Sequence, residues 1–198
     1  MIQPDTLPDR IRACRICAGD FARADPPVAP RPVVWFGRRA RILIAGQAPG
    51  TRVYRSGIPF DDASGKRLRE WLAMDRETFY DRNRIAIVPM AFCFPGLRNG
   101  ADLPPPGVCA GTWRAEVMGY AGPFDLTLLV GGYAQKYHLG DAASGGVGAT
   151  VAAWRDLAPD VFPLPHPSWR NTRWLKDNPW FAAELLPALR ARVTEVLR

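Results

Sequence analysis

No apolar run in this sequence approaches the roughly 20 residues that a membrane-spanning helix needs. Met1–Arg12 has no apolar core of the kind that marks a secretory signal. A cytoplasmic protein with no membrane partner is therefore expected. Internal repeats are absent, and so is any composition shift that would mark a second domain, so 1–198 reads as one domain. Disorder is not expected either. The 20 prolines and 18 glycines come in bursts between apolar runs, and 47% of the residues are hydrophobic, enough for a core.

Lysine is scarce. Only Lys66, Lys136 and Lys176 occur, so 23 of the 26 basic residues are arginine, against 19 acidic residues and a net charge of +7. Arginine makes forked contacts to phosphate, but a GC-rich genome also favours it. The charge permits a nucleic-acid partner without requiring one.

The four cysteines are more informative. Cys14 and Cys17 form a Cys-x-x-Cys pair within the N-terminal segment 1–32, while Cys93 and Cys109 have fifteen residues between them. Disulfides are not expected in a reducing compartment. Four thiolates complete either a tetrahedral zinc site or an iron–sulfur cluster. The second pair departs from zinc-ribbon spacing, and Cys93 lies beside a Pro95-Gly96 turn. Buried free thiols are the bland alternative.

Four short apolar runs read as buried strands: Arg41–Gly46, Arg84–Val88, Leu126–Val130 and Val161–Leu164, the last at an edge or ending early because of its prolines. Between them lie helical segments. One starts with Ser64 as N-cap and runs to about Met74, with Leu68, Trp71 and Leu72 on one face. A C-terminal helix spans about Pro179–Leu197 with a kink or break at Pro187. Between the second and third strands the sequence reads as a long Pro-rich connection holding Cys93 and Cys109. This alternation predicts an α/β fold, a central four-stranded parallel sheet with helices on both faces.

In such sheets ligands bind beyond the carboxyl ends of the strands. Four unusual segments sit there: Gly46-Gln47-Ala48-Pro49-Gly50, Pro89-Met90-Ala91, Gly131-Gly132-Tyr133 and Pro165-His166-Pro167-Ser168. The first lets backbone approach a ligand, but lacks the Gly-Lys-Ser/Thr ending of a P-loop. Phe60 can stack on a planar base or plug the local core. Asp61 and Asp62 can position a water or cap the helix that follows. His166, held between two prolines, can donate to an oxygen where negative charge develops. Ser168, Trp169, Arg170 and Asn171 mix hydroxyl, aromatic, guanidinium and amide groups, as a nucleic-acid-probing loop would. His138 has no such context and reads as structural.

Together these pieces resemble the uracil-DNA glycosylase superfamily, in particular its iron–sulfur-containing family 4 and family 5 branches. The family 4 opening, Gly-Glu-Ala-Pro-Gly and then Gly-Arg-Pro-Phe, is similar to Gly46–Gly50 and Gly57–Phe60. The closing His-Pro motif is similar to His166–Arg170, and Leu128–Lys136 resembles the strand-to-helix segment between them. The four cysteines follow the order and approximate spacing of the family 4 cluster ligands. Two positions depart from the pattern. The Glu of the first motif is Gln47, with no carboxylate at Ala48, and the Asn that reads the uracil edge aligns with Pro89.

The resemblance implies a DNA glycosylase of base excision repair, hydrolysing the N-glycosidic bond of uracil or another deaminated base in a flipped nucleotide. It implies a base pocket of Gly46, Gln47, Ala48, Phe60, Pro89 and His166, with Ser168, Trp169 and Arg170 on the DNA. Cys14, Cys17, Cys93 and Cys109 would hold a 4Fe–4S cluster, or alternatively zinc. His166 and Gln47 would carry catalysis, with Asp61 or Asp62 supplying the charge that Glu supplies in the family pattern. The partner would be DNA and the protein a monomer. A weakly active or non-catalytic binder of damaged or single-stranded DNA, and a hydrolase of small nucleosides, are the rival expectations.

Overall fold

The computed structural model describes residues 6–198; the first five residues of the N-terminal segment lie outside the described residues. Helices α1 (Leu7–Arg12) and α2 (Ala18–Ala22) precede strand β1 (Ile42–Ala45). Three helices, α3 (Thr51–Ser56), α4 (Ala63–Leu72) and α5 (Arg76–Tyr80), lead to β2 (Ile85–Ile87). A small hairpin of β3 (Leu97–Arg98) and β4 (Ala101–Asp102) is followed by α6 (Gly107–Ala121) and β5 (Leu126–Val130). Next come α7 (Gly132–Leu139), α8 (Gly146–Ala152) and β6 (Val161–Leu164), and then α9 (Thr172–Asp177) and α10 (Leu186–Leu197).

β1, β2, β5 and β6 form the expected parallel sheet in the order β2-β1-β5-β6. Ile42 lies opposite both Ile85 and Leu126, and Leu129 opposite Pro163. Pro163, which has no N–H, sits on an edge strand, where a missing ladder donor is tolerated. Alternate residues of each strand point to opposite faces, and both faces are buried. Ile42 and Ile44 pack with Leu68, Trp71, Phe181 and Leu189 from α4 and the C-terminal helices. Leu43 faces the other way, into Ile11, Trp113 and Val117 from α1 and α6. Burial on both sides explains why the strands read as continuous apolar runs. Among the described residues no helix is long and apolar enough to cross a membrane.

Two local expectations are corrected, and a third, the break at Pro187, is met. The N-cap of α4 is Asp62 rather than Ser64, because the Asp62 carboxylate accepts from the Gly65 N–H at 2.8 Å. That helix ends at Leu72, where Ala73 turns left-handed (φ 49°). The connection after β2 is not only Pro-rich loop. Asn99 and Gly100 both have positive φ (52° and 75°), which turns β3 into β4, and Cys109 lies inside α6. At the C-terminus Pro187 falls in the first turn of α10, preceded by a π-helical stretch at Phe181–Leu185. Proline has no N–H for the carbonyl one turn back, and the wider turn absorbs that loss.

Candidate active site

The carboxyl ends of the strands open into a cavity of about 620 Å³, a size typical of small-molecule sites. It is lined by Gly46, Gln47 and Ala48 after β1, Pro89 after β2, and His166, Ser168, Trp169 and Arg170 after β6. Phe60 and Asp62, from the approach to α4, complete the wall. Every candidate base-pocket and DNA-contact residue named from sequence therefore lines one cavity. The backbone of the first loop is held from below: Met90 N–H donates to the Gly46 carbonyl at 2.9 Å and Ala91 N–H to that of Gln47 at 3.1 Å. The amides of Gln47 and Ala48 donate to no protein group among the described residues.

His166 is fixed on three sides. Its Nδ1 accepts the Ser168 N–H at 3.2 Å, which assigns the ring proton to Nε2. Its carbonyl accepts Asn171 Nδ2 at 2.7 Å. Gly131, at φ 83°, lets the β5 end pass close to the His166 side chain. Burial lowers the His166 pKa from its usual value; Asp62 and Asp102 oppose that shift and Arg170 adds to it. The ring is thus a neutral N–H donor near neutral pH, with its acceptor nitrogen already used. Such a group donates to an oxygen that becomes anionic without bringing a proton of its own chemistry. Asn171 also lines the cavity, and its amide is spent on the His166 backbone carbonyl.

Phe60 holds a left-handed backbone (φ 54°), uncommon for a non-glycine residue. The neighbouring fold imposes it. The Tyr80 hydroxyl lies 3.0 and 3.1 Å from the carbonyls of Pro59 and Phe60, and a Cβ at Gly65 would stand 1.7 Å from the Phe60 carbonyl oxygen. The ring meets Phe79 edge-on at 6.2 Å while also facing the cavity. It is both a plug of the local core and a wall available for stacking.

The two neighbouring aspartates separate. Asp61 pairs with Arg76 at 3.2 Å and is not among the cavity-lining residues. Asp62 does line the cavity, but its Oδ1 caps α4. A third carboxylate, Asp102 on the β3–β4 hairpin, also lines it. Sequence reasoning missed this residue, although Asn99-Gly100 is the dipeptide that most strongly marks a tight hairpin.

Pro89 is held through its carbonyl. Arg114 of α6, only 4% exposed, donates from Nη1 to the carbonyls of Val88 (2.7 Å) and Pro89 (3.4 Å). Its other arm meets His138 Nε2. Burial and this guanidinium push the His138 pKa down to about 4, which leaves the ring neutral beside the cation. His138 is structural, as its sequence context indicated.

The four cysteines gather elsewhere. All are half-buried free thiols lining one apolar pocket with Ile11, Phe21, Phe92 and Trp113. Burial raises the thiol pKa of Cys93 to about 12 and of Cys109 to about 11. Among the described residues no three His, Cys, Asp or Glu side chains are placed to hold a metal ion. A single ion needs its donors on one point, whereas a cubane takes one thiolate at each iron. Four thiols around a common apolar pocket fit the second arrangement. The loop from Pro89 to Cys93 connects this pocket to the cavity, and Arg114 of α6 braces it through the Val88 and Pro89 carbonyls.

A comparison with protein families finds a match over most of the chain. The family model described as the uracil DNA glycosylase superfamily matches residues 34–190, from just before β1 into α10.

Proposed function

The chain belongs to the uracil DNA glycosylase superfamily, and on that premise we propose that it hydrolyses the N-glycosidic bond of uracil or another deaminated base in DNA, as the first step of base excision repair. The observation that carries this reading is the meeting of Gln47, Phe60, Pro89 and His166 around one cavity, with Trp169 at its mouth. A base inside a duplex cannot reach such a cavity, so the nucleotide must be flipped or single-stranded. Phe60 stacks on the base. As the glycosidic bond breaks, electrons move onto the base oxygens. The His166 Nε2–H and the amides of Gln47 and Ala48, which have no protein acceptor among the described residues, would receive that charge. A single donor of this kind is typically worth about 10²–10³ in rate. Pro89 offers the base edge no donor of its own, so reading at that edge falls to backbone and to shape.

Trp169 is 76% exposed beside Arg170, which suits an aromatic probing a neighbouring base while the arginine meets phosphate. Cys14, Cys17, Cys93 and Cys109 would hold a 4Fe–4S cluster, the feature of the family 4 and family 5 branches. Bound there, it would supply iron–thiolate bonds that tie the N-terminal segment to the Cys93 loop and α6.

The test is release of free base from oligonucleotides carrying uracil, hypoxanthine or xanthine, in single and double strands, scored by the abasic site left behind. Release from at least one substrate supports the reading. Tight, salt-sensitive binding without release would instead describe a binder of damaged DNA, and release from free nucleosides alone a nucleoside hydrolase.

A further inference from the structure

Two carboxylates, Asp62 and Asp102, line the candidate site and Asp61 stands next to Asp62 in sequence; two of the three are already engaged. Asp61 is paired with Arg76, and Asp62 caps α4. Asp102 makes no hydrogen bond or ion pair among the described residues, yet the β3–β4 hairpin carries it to the cavity wall. The turn at Asn99-Gly100 fixes the hairpin, and Leu103 N–H donates to the Gly96 carbonyl at 3.0 Å to close its base. The Asp102 Oδ2 stands 3.8 Å from where a Gly50 Cβ would be, so it overlooks the loop that holds Gln47. Glycosidic hydrolysis builds positive charge on the sugar, and Gln47 is neutral.

Resting on the function proposed above, we infer that Asp102 is the charged catalytic carboxylate of this site, opposing the cationic sugar and receiving the proton of the attacking water. In that step the water oxygen bonds to the anomeric carbon while the C–N electron pair leaves with the base. The water proton passes to Asp102 and from there to solvent or the base, which restores the carboxylate. The environment suits the task. Asp102 is exposed as a residue, and partial burial of its carboxyl against the cavity wall raises its pKa above the ordinary carboxylate value, against the opposing pull of Arg170 and His166. The other charged or titratable groups facing this cavity are Asp62 at the start of α4 and Arg52 in α3.

Asp102→Asn and Asp102→Ser test this beside Asp62→Asn, by single-turnover base release, DNA affinity and thermal unfolding. The expected result is a fall of about 10²-fold or more in release for both Asp102 variants. Their DNA affinity is equal or higher, because a negative charge has left a phosphate-facing rim, and their unfolding midpoint is unchanged. Release by the native chain should decline as pH falls through the Asp102 pKa. That acid limb should persist in Asp62→Asn and vanish in Asp102→Asn. Native release rates in both Asp102 variants would overturn the assignment and leave the glycosylase reading intact. No release by the native chain from any substrate would remove that reading, and this inference with it.

Discussion

Arg114 Nη1 donates to the Val88 carbonyl at 2.7 Å from a helix that also carries Cys109. One buried guanidinium therefore links the cysteine-bearing helix to the end of β2, where Pro89 enters the candidate active site. Replacing it by methionine keeps the apolar stem and leaves both carbonyls without their donor. Arg114→Met should cost about 1–3 kcal/mol of stability, with Arg114→Lys less damaging, as read from urea midpoints. Native stability in Arg114→Met would show that the carbonyls find other partners.

His138 gives the same contact a pH dependence. Its folded pKa of about 4 lies below its ordinary 6.5, so across that window the unfolded chain holds a proton that the folded chain does not. Stability is then fully present above about pH 6.5 and declines as pH falls towards 4. His138→Gln should flatten that decline when urea midpoints at pH 4.5 and pH 7 are compared with the native chain. His166, shifted in the same direction, is present in both proteins and cancels. An equally steep decline in His138→Gln would mean that His138 is not held neutral.

The cysteine pocket predicts a colour. Chain purified without oxygen should be brown and carry about four iron and about four acid-labile sulfide. Serine at any one of Cys14, Cys17, Cys93 or Cys109 should bleach it. Colourless native protein holding one zinc would contradict the cluster.

Trp169 is exposed enough to be removed without loss of packing. Trp169→Ala should weaken binding to damaged oligonucleotides by about 1–3 kcal/mol, the usual worth of base–aromatic stacking, and leave the unfolding midpoint alone. Unchanged affinity would take Trp169 off the DNA.

Parts of this molecule were legible in the sequence for simple reasons. Strands buried on both faces must be apolar throughout, so β1, β2, β5 and β6 stand out as short runs, and their carboxyl ends place the cavity. His166 is legible because prolines flank it. What escaped depends on contacts distant in sequence. Asp61 and Asp62 look equivalent in the chain, and only Arg76 and the Gly65 amide separate them. Asp102 lies in a stretch whose prolines read as connection, and its role rests on facing Gly50, about fifty residues earlier. Arg114 looks like one helix-surface arginine among 23 until its carbonyl partners are seen.

The most direct test of the account is single-turnover release of base from a uracil-, hypoxanthine- or xanthine-containing oligonucleotide by the native chain and by His166→Ala, at saturating enzyme. The account predicts release by the native chain and a loss of about 10²–10³ in rate on removing the imidazole, with the unfolding midpoint nearly unchanged. Equal rates in the two proteins would contradict it, because the neutral Nε2–H donor on which the site is built would then carry none of the reaction.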